Sequence, residues 1–262
     1  MNGAPDLSYV SMIFIGLLLL IPLAVVSFLK LGITKNLLVS VVRMAVQLVL
    51  IGFFLEYLFR FDHWAVTILW FMAMILVAVF SIIKSSKLKL NYFILPIFIS
   101  MLIANFVIIL YFNQFIVQLD SVFEAKYIIA IGGMVLGNSL RANVVGVGDF
   151  YNSLRKDENL YFYKLSLGAT KFEALLPFAK QSFIAALNPT IATMATMGIV
   201  SLPGMMTGQI LGGSVPLVAI KYQIAIMVAI LASTVLSILL SLVFTLRISI
   251  DKSGVLKKEY FV

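Results

Sequence analysis

Long apolar stretches without charge dominate this chain, and they restrict its fold more than any other feature. The forty residues from Gln181 to Ile220 include no Asp, Glu, Lys or Arg. A charge at the centre of a bilayer costs about 2.5–3.5 kcal/mol on insertion scales, so such a run is typical of membrane-embedded segments. Hydrophobic residues make up 62% of the chain and charged residues 11%, which excludes an ordinary soluble domain. The chain is predicted to be an all-α, polytopic integral membrane protein.

Seven stretches are apolar and long enough to cross a bilayer, which takes about 20 helical residues. The sixth contains Pro189, Pro203 and Gly204, so it is predicted to be either one kinked helix or a helix followed by a re-entrant piece. No other stretch is both long and polar, and residues 1–262 are therefore predicted to form a single transmembrane domain. The seven stretches are Leu7–Leu29, Leu37–Leu58, Trp64–Ile83, Tyr92–Phe112, Tyr127–Val147, Phe183–Gly212 and Tyr222–Leu246.

The distribution of basic residues predicts how these spans are oriented. Loops on the cytoplasmic side of a membrane carry an excess of Lys and Arg. The loops after the even-numbered spans hold only Arg60, Lys126 and Lys221. We therefore expect an outer N-terminus, a cytoplasmic C-terminus and a location in the cytoplasmic (plasma) membrane. The basic residues that follow the odd-numbered spans are Lys30, Lys35, Lys84, Lys87, Lys89, Arg155, Lys156, Lys164, Lys171, Arg247, Lys252, Lys257 and Lys258.

Residues 149–181 form a polar, cytoplasmic segment between two apolar stretches. Gly168 is able to end one helix, because glycine adopts the left-handed conformation of a C-cap. Thr170 and Glu173 have the spacing of a capping box, which begins the next helix. Pro177 is expected to bend or restart the chain one turn later. The segment is predicted to contain two short helices around a tight corner at the membrane surface, a pattern that a purely anchoring interfacial helix shares.

This corner resembles the coupling segment of ABC-transporter permeases, in which a Leu-Gly-Ala-Ser/Thr turn precedes a short helix and a Leu-Pro pair. Later blocks at 188–190, 200–208 and 219–223 resemble the FetB-type iron-export permeases, a family that also includes plant aluminium-tolerance permeases. The resemblance is strong over residues 130–235. In the first four predicted spans it rests mainly on pattern. The coupling residues that it implies are Leu165, Leu167, Gly168, Ala169, Thr170, Phe172, Glu173, Ala174 and Pro177.

The resemblance also implies partners and a cargo. It implies a permease homodimer that works with two copies of a separate ABC ATPase, and it implies iron export. The chain contains no G-x-x-x-x-G-K-[ST] motif, so ATP and Mg²⁺ are expected on the partner ATPase and no cofactor on this chain. One histidine and no cysteine leave no catalytic constellation and no confident metal ligand, so the chain is not expected to be an enzyme. The scattered basic residues indicate no nucleic-acid partner.

Polar residues inside three apolar stretches are candidates for a transport pathway or gate. Arg43 shares a helix face with Gln47, and Asn138 shares one with Arg141. Ionisable groups in spans are functional candidates, although both arginines could instead snorkel to the headgroups. The sixth stretch adds hydroxyls, thioethers and a broken helix as further pathway candidates. The alternative is that these side chains only pack in the protein core. These residues are Thr190, Thr193, Met197, Ser201, Pro203, Gly204, Met205 and Met206.

Glycines spaced by four predict close helix packing. Gly133 and Gly137 form one GxxxG unit, and Gly204, Gly208 and Gly212 form two more. Such faces fit a homodimer and equally fit packing within one subunit.

The residues leave the cargo and the energy source open. Few charged residues face the membrane interior, so a bare multivalent cation has no obvious carboxylate cage, and a chelate, another metal or an organic solute fits as well. A secondary, proton-coupled transporter and a non-transporting membrane scaffold are the two alternatives to an ATP-driven permease.

Overall fold

The computed structural model describes residues 8–61, 63–251, 254–257 and 260 of the chain. Every regular element in these ranges is helical, which confirms the all-α prediction. A π-helical turn at Phe112–Val117 extends the fifth helix. The helices are α1 Tyr9–Leu18, α2 Leu20–Phe28, α3 Thr34–Phe61, α4 Trp64–Ser85, α5 Leu90–Tyr111, α6 Ala125–Lys156, α7 Glu158–Ser166, α8 Lys171–Thr196, α9 Gly204–Leu211 and α10 Pro216–Ser249.

Five helices in the described ranges are long and apolar enough to cross a membrane. They are α3, α4, α5 with its π-helical extension, α6 and α10. The prediction of a polytopic all-α membrane protein is confirmed, whereas the first and sixth of the seven predicted spans are not single helices.

The predicted first span is divided by Pro22. Helix α1 ends at Leu18 and α2 begins at Leu20; Leu7, the predicted first residue, lies outside the described residues. Pro22 has no N–H to bond the carbonyl of Leu18, and its ring crowds that carbonyl. Leu19 keeps right-handed helical dihedral angles, with φ −67° and ψ −21°, so the break is a kink between two short helices.

The predicted sixth span is a helix followed by a separate short helix, which agrees with the second alternative. Helix α8 ends at Thr196, Gly198 has a positive φ of 87°, and α9 begins at Gly204. Glycine is favoured where φ is positive because a Cβ would clash there. A hydrogen bond from Gly198 N–H to the Ser201 carbonyl, at 2.9 Å, closes the turn between the two helices.

Pro177 was expected to bend or restart the chain, and the restart is wrong. Helix α8 continues through both Pro177 and Pro189, so the coupling segment and the following apolar stretch share one helix. Each proline removes one backbone hydrogen bond. Packing of the buried side of α8 against α6, through residues such as Phe178 and Ala186, offsets that loss.

Helices α5, α6 and α10 pack together at the centre, and α4 and α8 flank α6. Five fully buried polar side chains join the central three. Asn143 Nδ2 donates to Ser237 Oγ at 2.8 Å, and the hydroxyls of Ser139 and Ser233 lie 3.1 Å apart. Ser233 Oγ also donates to Asn105 Oδ1 at 3.3 Å. Small polar residues let helices approach closely in lipid, and these bonds satisfy most of their polar atoms there, although Asn143 Oδ1 has no partner in the described structure.

The tightest helix approach lies at a glycine that the GxxxG pattern did not single out. A Cβ placed on Gly132 of α6 would lie 2.9 Å from Phe71 Cε2 and 3.0 Å from Ile109 Cδ1. The neighbouring Gly133 is looser, because its nearest contact is Met74 Cε at 3.5 Å. Gly212 meets only backbone atoms of its own helix. No atom lies within 4 Å of a Cβ placed on Gly137, Gly204 or Gly208.

Helix α3 packs weakly against this bundle. None of its most apolar 18-residue window is buried. Contact is concentrated near its C-terminal end, where Leu58 is buried and the ring of Phe54 lies 4.2 Å from that of Trp70. Most side chains in the first two thirds of α3 are therefore exposed.

Candidate functional site

A cavity of about 430 Å³ lies between α6, α8, α9 and α10. It is the place where most of the predicted pathway residues meet, although they come from three separate stretches of the sequence. Those that line it are Asn138, Arg141, Thr190, Thr193, Met197, Pro203, Gly204 and Met205.

The remaining predicted pathway residues lie elsewhere. Arg43 and Gln47 are exposed on α3, and Gln47 lines a separate groove beside Trp70. Ser201 is exposed in the turn after α8, and Met206 is buried on another side of α9. The sequence grouped these four residues with the others, but α3 contributes no residue to the cavity wall, and Ser201 and Met206 do not line it.

The interruption between α8 and α9 forms part of the cavity wall. Met197 leaves the helical conformation, with φ −64° and ψ 137°, and Pro203 precedes α9 in an extended conformation. Thr193 Oγ1 donates to the Pro189 carbonyl at 2.9 Å in the last turns of α8. Non-helical backbone at membrane depth is tolerated where it is buried in protein or faces a cavity, and this break faces one.

Nine further described residues line the wall without having been predicted as pathway residues, among them Met134, Gln223 and Met227. Gln223 is buried, its Nε2 lies 3.9 Å from Met197 Sδ, and its Oε1 has no hydrogen-bond partner in the described structure. A lone amide in a long apolar helix is the one signal that could have marked it.

The electrostatics of the wall are set by a single cation. Arg141 is the only charged residue that lines the cavity, and no described residue forms an ion pair with it. Asn138, one turn before it on α6, donates from Nδ2 to the Met134 carbonyl at 2.8 Å. The described residues contain no group of three or more His, Cys, Asp or Glu side chains that could hold a metal ion. The wall is therefore apolar and weakly cationic.

The coupling corner, residues 165–177, has the predicted local structure. Gly168 has a φ of 88°, and α8 begins with a complete capping box. The Glu173 N–H donates to Thr170 Oγ1 at 3.3 Å, and the Thr170 N–H donates to Glu173 Oε2 at 2.8 Å. Hydrogen bonds from the backbone and then the hydroxyl of Thr170 lower the pKa of the Glu173 carboxyl. The capping-box prediction is confirmed.

Apolar side chains at this corner are left uncovered. Leu167 is 69% exposed and Phe172 is 74% exposed, whereas Ala174 and Leu175 on the next turn are buried. Leu165, Ala169 and Pro177 complete the predicted coupling set along this stretch. Clustered exposed apolar side chains with polar surroundings are typical of protein interaction sites.

The C-terminal tail contacts the coupling corner. Lys171 Nζ donates to the Asp251 carbonyl at 2.8 Å, and Leu256 is buried. The ring of Tyr260 stacks on Tyr92 at 4.0 Å, and its carbonyl accepts from the Lys89 N–H at 3.0 Å. The coupling corner, the tail and the α4–α5 loop thus meet at one end of the bundle. Basic residues that follow the third, fifth and seventh predicted spans lie at the same end. Lys252 and Lys258 lie outside the described residues.

One helix connects the coupling corner with the cavity. Helix α8 starts at Lys171, directly after the capping threonine, and ends beside Met197 in the cavity wall. Its 26 residues span about 39 Å at 1.5 Å per residue. A continuous helical backbone therefore joins the corner to the wall of the cavity.

Comparison with known proteins assigns the chain to a family. The family model described as "Uncharacterised protein family (UPF0014)" matches residues 9–249. The chain belongs to the UPF0014 family. No solved structure matches this UPF0014 chain.

Three curated relatives illustrate the family. The probable iron export permease protein FetB of Escherichia coli is 37% identical over 202 residues, which cover 75% of this chain and 74% of that protein. The protein ALUMINUM SENSITIVE 3 of Arabidopsis thaliana is 32% identical over 201 residues, 76% and 71% of the two chains. The UPF0014 membrane protein YjkA of Bacillus subtilis is 31% identical over 224 residues, 84% and 87% of the two chains.

Proposed function

We propose that this UPF0014 protein is the permease subunit of an ATP-driven exporter, and that a separate ABC ATPase hydrolyses the ATP. The single observation that carries the proposal is the continuity of α8, which joins an exposed coupling corner to the wall of a cavity among the spans. The name of the FetB relative supports a permease that exports iron, and iron or another metal is the proposed cargo.

The mechanism follows from the continuity of this helix. The exposed Leu167 and Phe172 side chains dock on the ATPase, and nucleotide-driven movement of the ATPase displaces the corner. The capping box makes the first turn of α8 stiff, so the displacement reaches Thr193 and Met197 at the cavity. Two permease copies and two ATPase copies form the proposed complex, in the cytoplasmic membrane, with the corner and the C-terminus in the cytoplasm.

The cavity does not favour a proton-coupled carrier. Such a carrier needs a group in its pathway that gains and loses a proton near neutral pH. None of the described residues that line the cavity is an Asp, Glu or His, the side chains that form proton relays in pumps and transporters.

The test reconstitutes the permease with its partner ATPase in proteoliposomes. The double variant Gly168→Ala, Glu173→Ala strains a backbone with positive φ and removes the capping carboxylate. We expect ATP-dependent flux and ATPase stimulation to fall at least tenfold, while membrane insertion is unchanged. Lys180→Ala, on the exposed side of α8, is the matched control and should behave like the natural protein. Normal coupling in the double variant, or uphill transport by the permease without ATPase and ATP, would contradict the proposal.

A further inference from the structure

We propose that the cavity between α6, α8, α9 and α10 takes its cargo as an anion, a metal ion enclosed in a negatively charged carboxylate chelate. This inference rests on the proposed function and names the class of its cargo. It is carried by the charge, the hydrogen-bonding groups and the size of the cavity.

The charge of the wall opposes a bare cation. Hard metal ions in proteins are bound by several oxygen ligands, of which some are carboxylates that neutralise the ion. No Asp or Glu lines this cavity, and Arg141 contributes a positive charge that no described residue neutralises. A multivalent cation entering alone would therefore be repelled, whereas a chelate with net negative charge would be attracted.

Arg141 also has the geometry that a carboxylate requires. Its planar guanidinium presents paired N–H donors that match the two oxygens of a carboxylate. Asn138 lies one turn away on α6 and lines the same wall. Its Nδ2 donates to the Met134 carbonyl, and its Oδ1 remains as a hydrogen-bond acceptor. The α6 wall thus offers one charged donor and one polar neighbour on the same face.

Gln223 supplies a complementary acceptor from α10. Its Oε1 is buried and has no hydrogen-bond partner in the described structure. A buried acceptor without a partner is unfavourable, so a ligand that donates a hydrogen bond to it would be stabilised here. A hydroxyl group of the chelator or a water bound to the enclosed metal is such a donor.

Size and wall chemistry fit an organic complex. A volume of about 430 Å³ lies in the range of small-molecule sites, roughly 300–1,000 Å³, and exceeds what one metal ion fills. Thioethers of Met134, Met205 and Met227 also line the wall. Thioethers bind soft cations, but they equally pack against carbon skeletons, and the charge of Arg141 favours the second role here.

The test measures binding to the full-length permease in lipid nanodiscs, without the ATPase. The probes are gallium(III) citrate, which is redox-inert and anionic, and the bare cations Co²⁺ and Ag⁺, each quantified by equilibrium dialysis and elemental analysis. We expect gallium citrate to bind, free citrate to compete with it, and Co²⁺ and Ag⁺ to bind at least tenfold more weakly. Arg141→Gln should weaken gallium citrate binding at least tenfold, and Arg141→Lys should weaken it less.

The control is Arg60→Gln, which removes an exposed arginine of α3 that does not line the cavity. It should bind gallium citrate like the natural protein. Gln223→Leu is a second cavity variant, and the melting temperature of every variant reports whether it is folded. Tighter binding of Co²⁺ or Ag⁺ than of gallium citrate to the natural protein overturns the inference without any variant. Unchanged gallium citrate binding in folded Arg141→Gln overturns it as well.

The outcome is separable from that of the proposed function. A protein that binds gallium citrate but shows no ATP-dependent flux with its ATPase contradicts the exporter and supports the ligand class. A complex that drives Co²⁺ across the membrane with ATP, and does not bind gallium citrate, supports the exporter and overturns the ligand class.

Discussion

Single positions on α6 determine how closely the helices approach and what the cavity presents. Gly132 lies under Phe71 and Ile109 without space for a methyl group, whereas Gly137 faces open space. Nine residues after Gly132, Arg141 places the only charge in the cavity wall. On α6, the missing side chain of Gly132 therefore sets how closely the helices pack, and the side chain of Arg141 sets the charge of the cavity wall.

Gly132→Ala is expected to destabilise the protein, and Gly137→Ala is the matched control. Alanine favours a helix over glycine by about 1 kcal/mol, and overpacking typically costs about 1–3 kcal/mol. The added methyl group at 132 would lie 2.9 Å from Phe71 Cε2, so the cost exceeds the gain, whereas at 137 only the gain remains. Thermal unfolding in detergent should show a lower melting temperature for Gly132→Ala than for Gly137→Ala. The reverse order would show that this helix contact is not close.

At the scale of elements, α8 combines two tasks that the sequence suggested were separate. Its first turn is held by the Thr170–Glu173 capping box and by the contact of Lys171 with the C-terminal tail. Its last turns line the cavity. The C-terminal tail and the α4–α5 loop lie at the same end of the bundle as the corner. A force applied to the corner would therefore act on a helix end that these segments hold in place.

Loosening the middle of α8 should uncouple the two ends. The double variant Lys180→Gly, Gln181→Gly places two glycines on the exposed side of the helix, each unfavourable by about 1 kcal/mol relative to alanine. We expect cargo-stimulated ATPase activity to fall severalfold, while gallium citrate binding in nanodiscs stays within twofold of the natural protein. The control pair, Lys180→Ala with Gln181→Ala, loses the same side chains and should remain coupled. Equal coupling in the two pairs would mean that α8 does not transmit the movement.

At the scale of the whole molecule, α3 is incomplete on its own. It carries Arg43 and Gln47 near the middle of an apolar helix whose central window is entirely unburied. Polar and ionisable groups at membrane depth face protein or water rather than lipid. The proposed homodimer supplies that cover, because the first two thirds of α3 are free to pack against a second copy.

Photo-crosslinking tests this arrangement in native membranes. The photoreactive residue p-benzoylphenylalanine in place of Met44, which is 53% exposed beside Arg43, should give an adduct with the mass of two permease copies. The same residue in place of Leu95 on α5, which is 64% exposed, should give none. Dimer adducts from Leu95 and none from Met44 would place the contact between copies on another face of the bundle.

The sequence by itself determined the features that depend on local chemistry. Hydropathy predicted an all-helical membrane protein, and Gly168, Thr170 and Glu173 predicted a capped corner, because a left-handed turn and a capping box form within a few residues. The prolines were less informative: Pro22 divides a predicted span, whereas Pro177 is accommodated within α8.

Only the tertiary structure decided which polar residues meet. Arg43 with Gln47 and Asn138 with Arg141 look equivalent in sequence, since each pair shares one face of a helix. The structure places the second pair in the cavity wall and the first on an exposed helix, and it adds Gln223 from α10, which was not among the predicted pathway residues. Helical periodicity states which residues share a face, but the direction of that face depends on how neighbouring helices pack, which involves residues far apart in the chain.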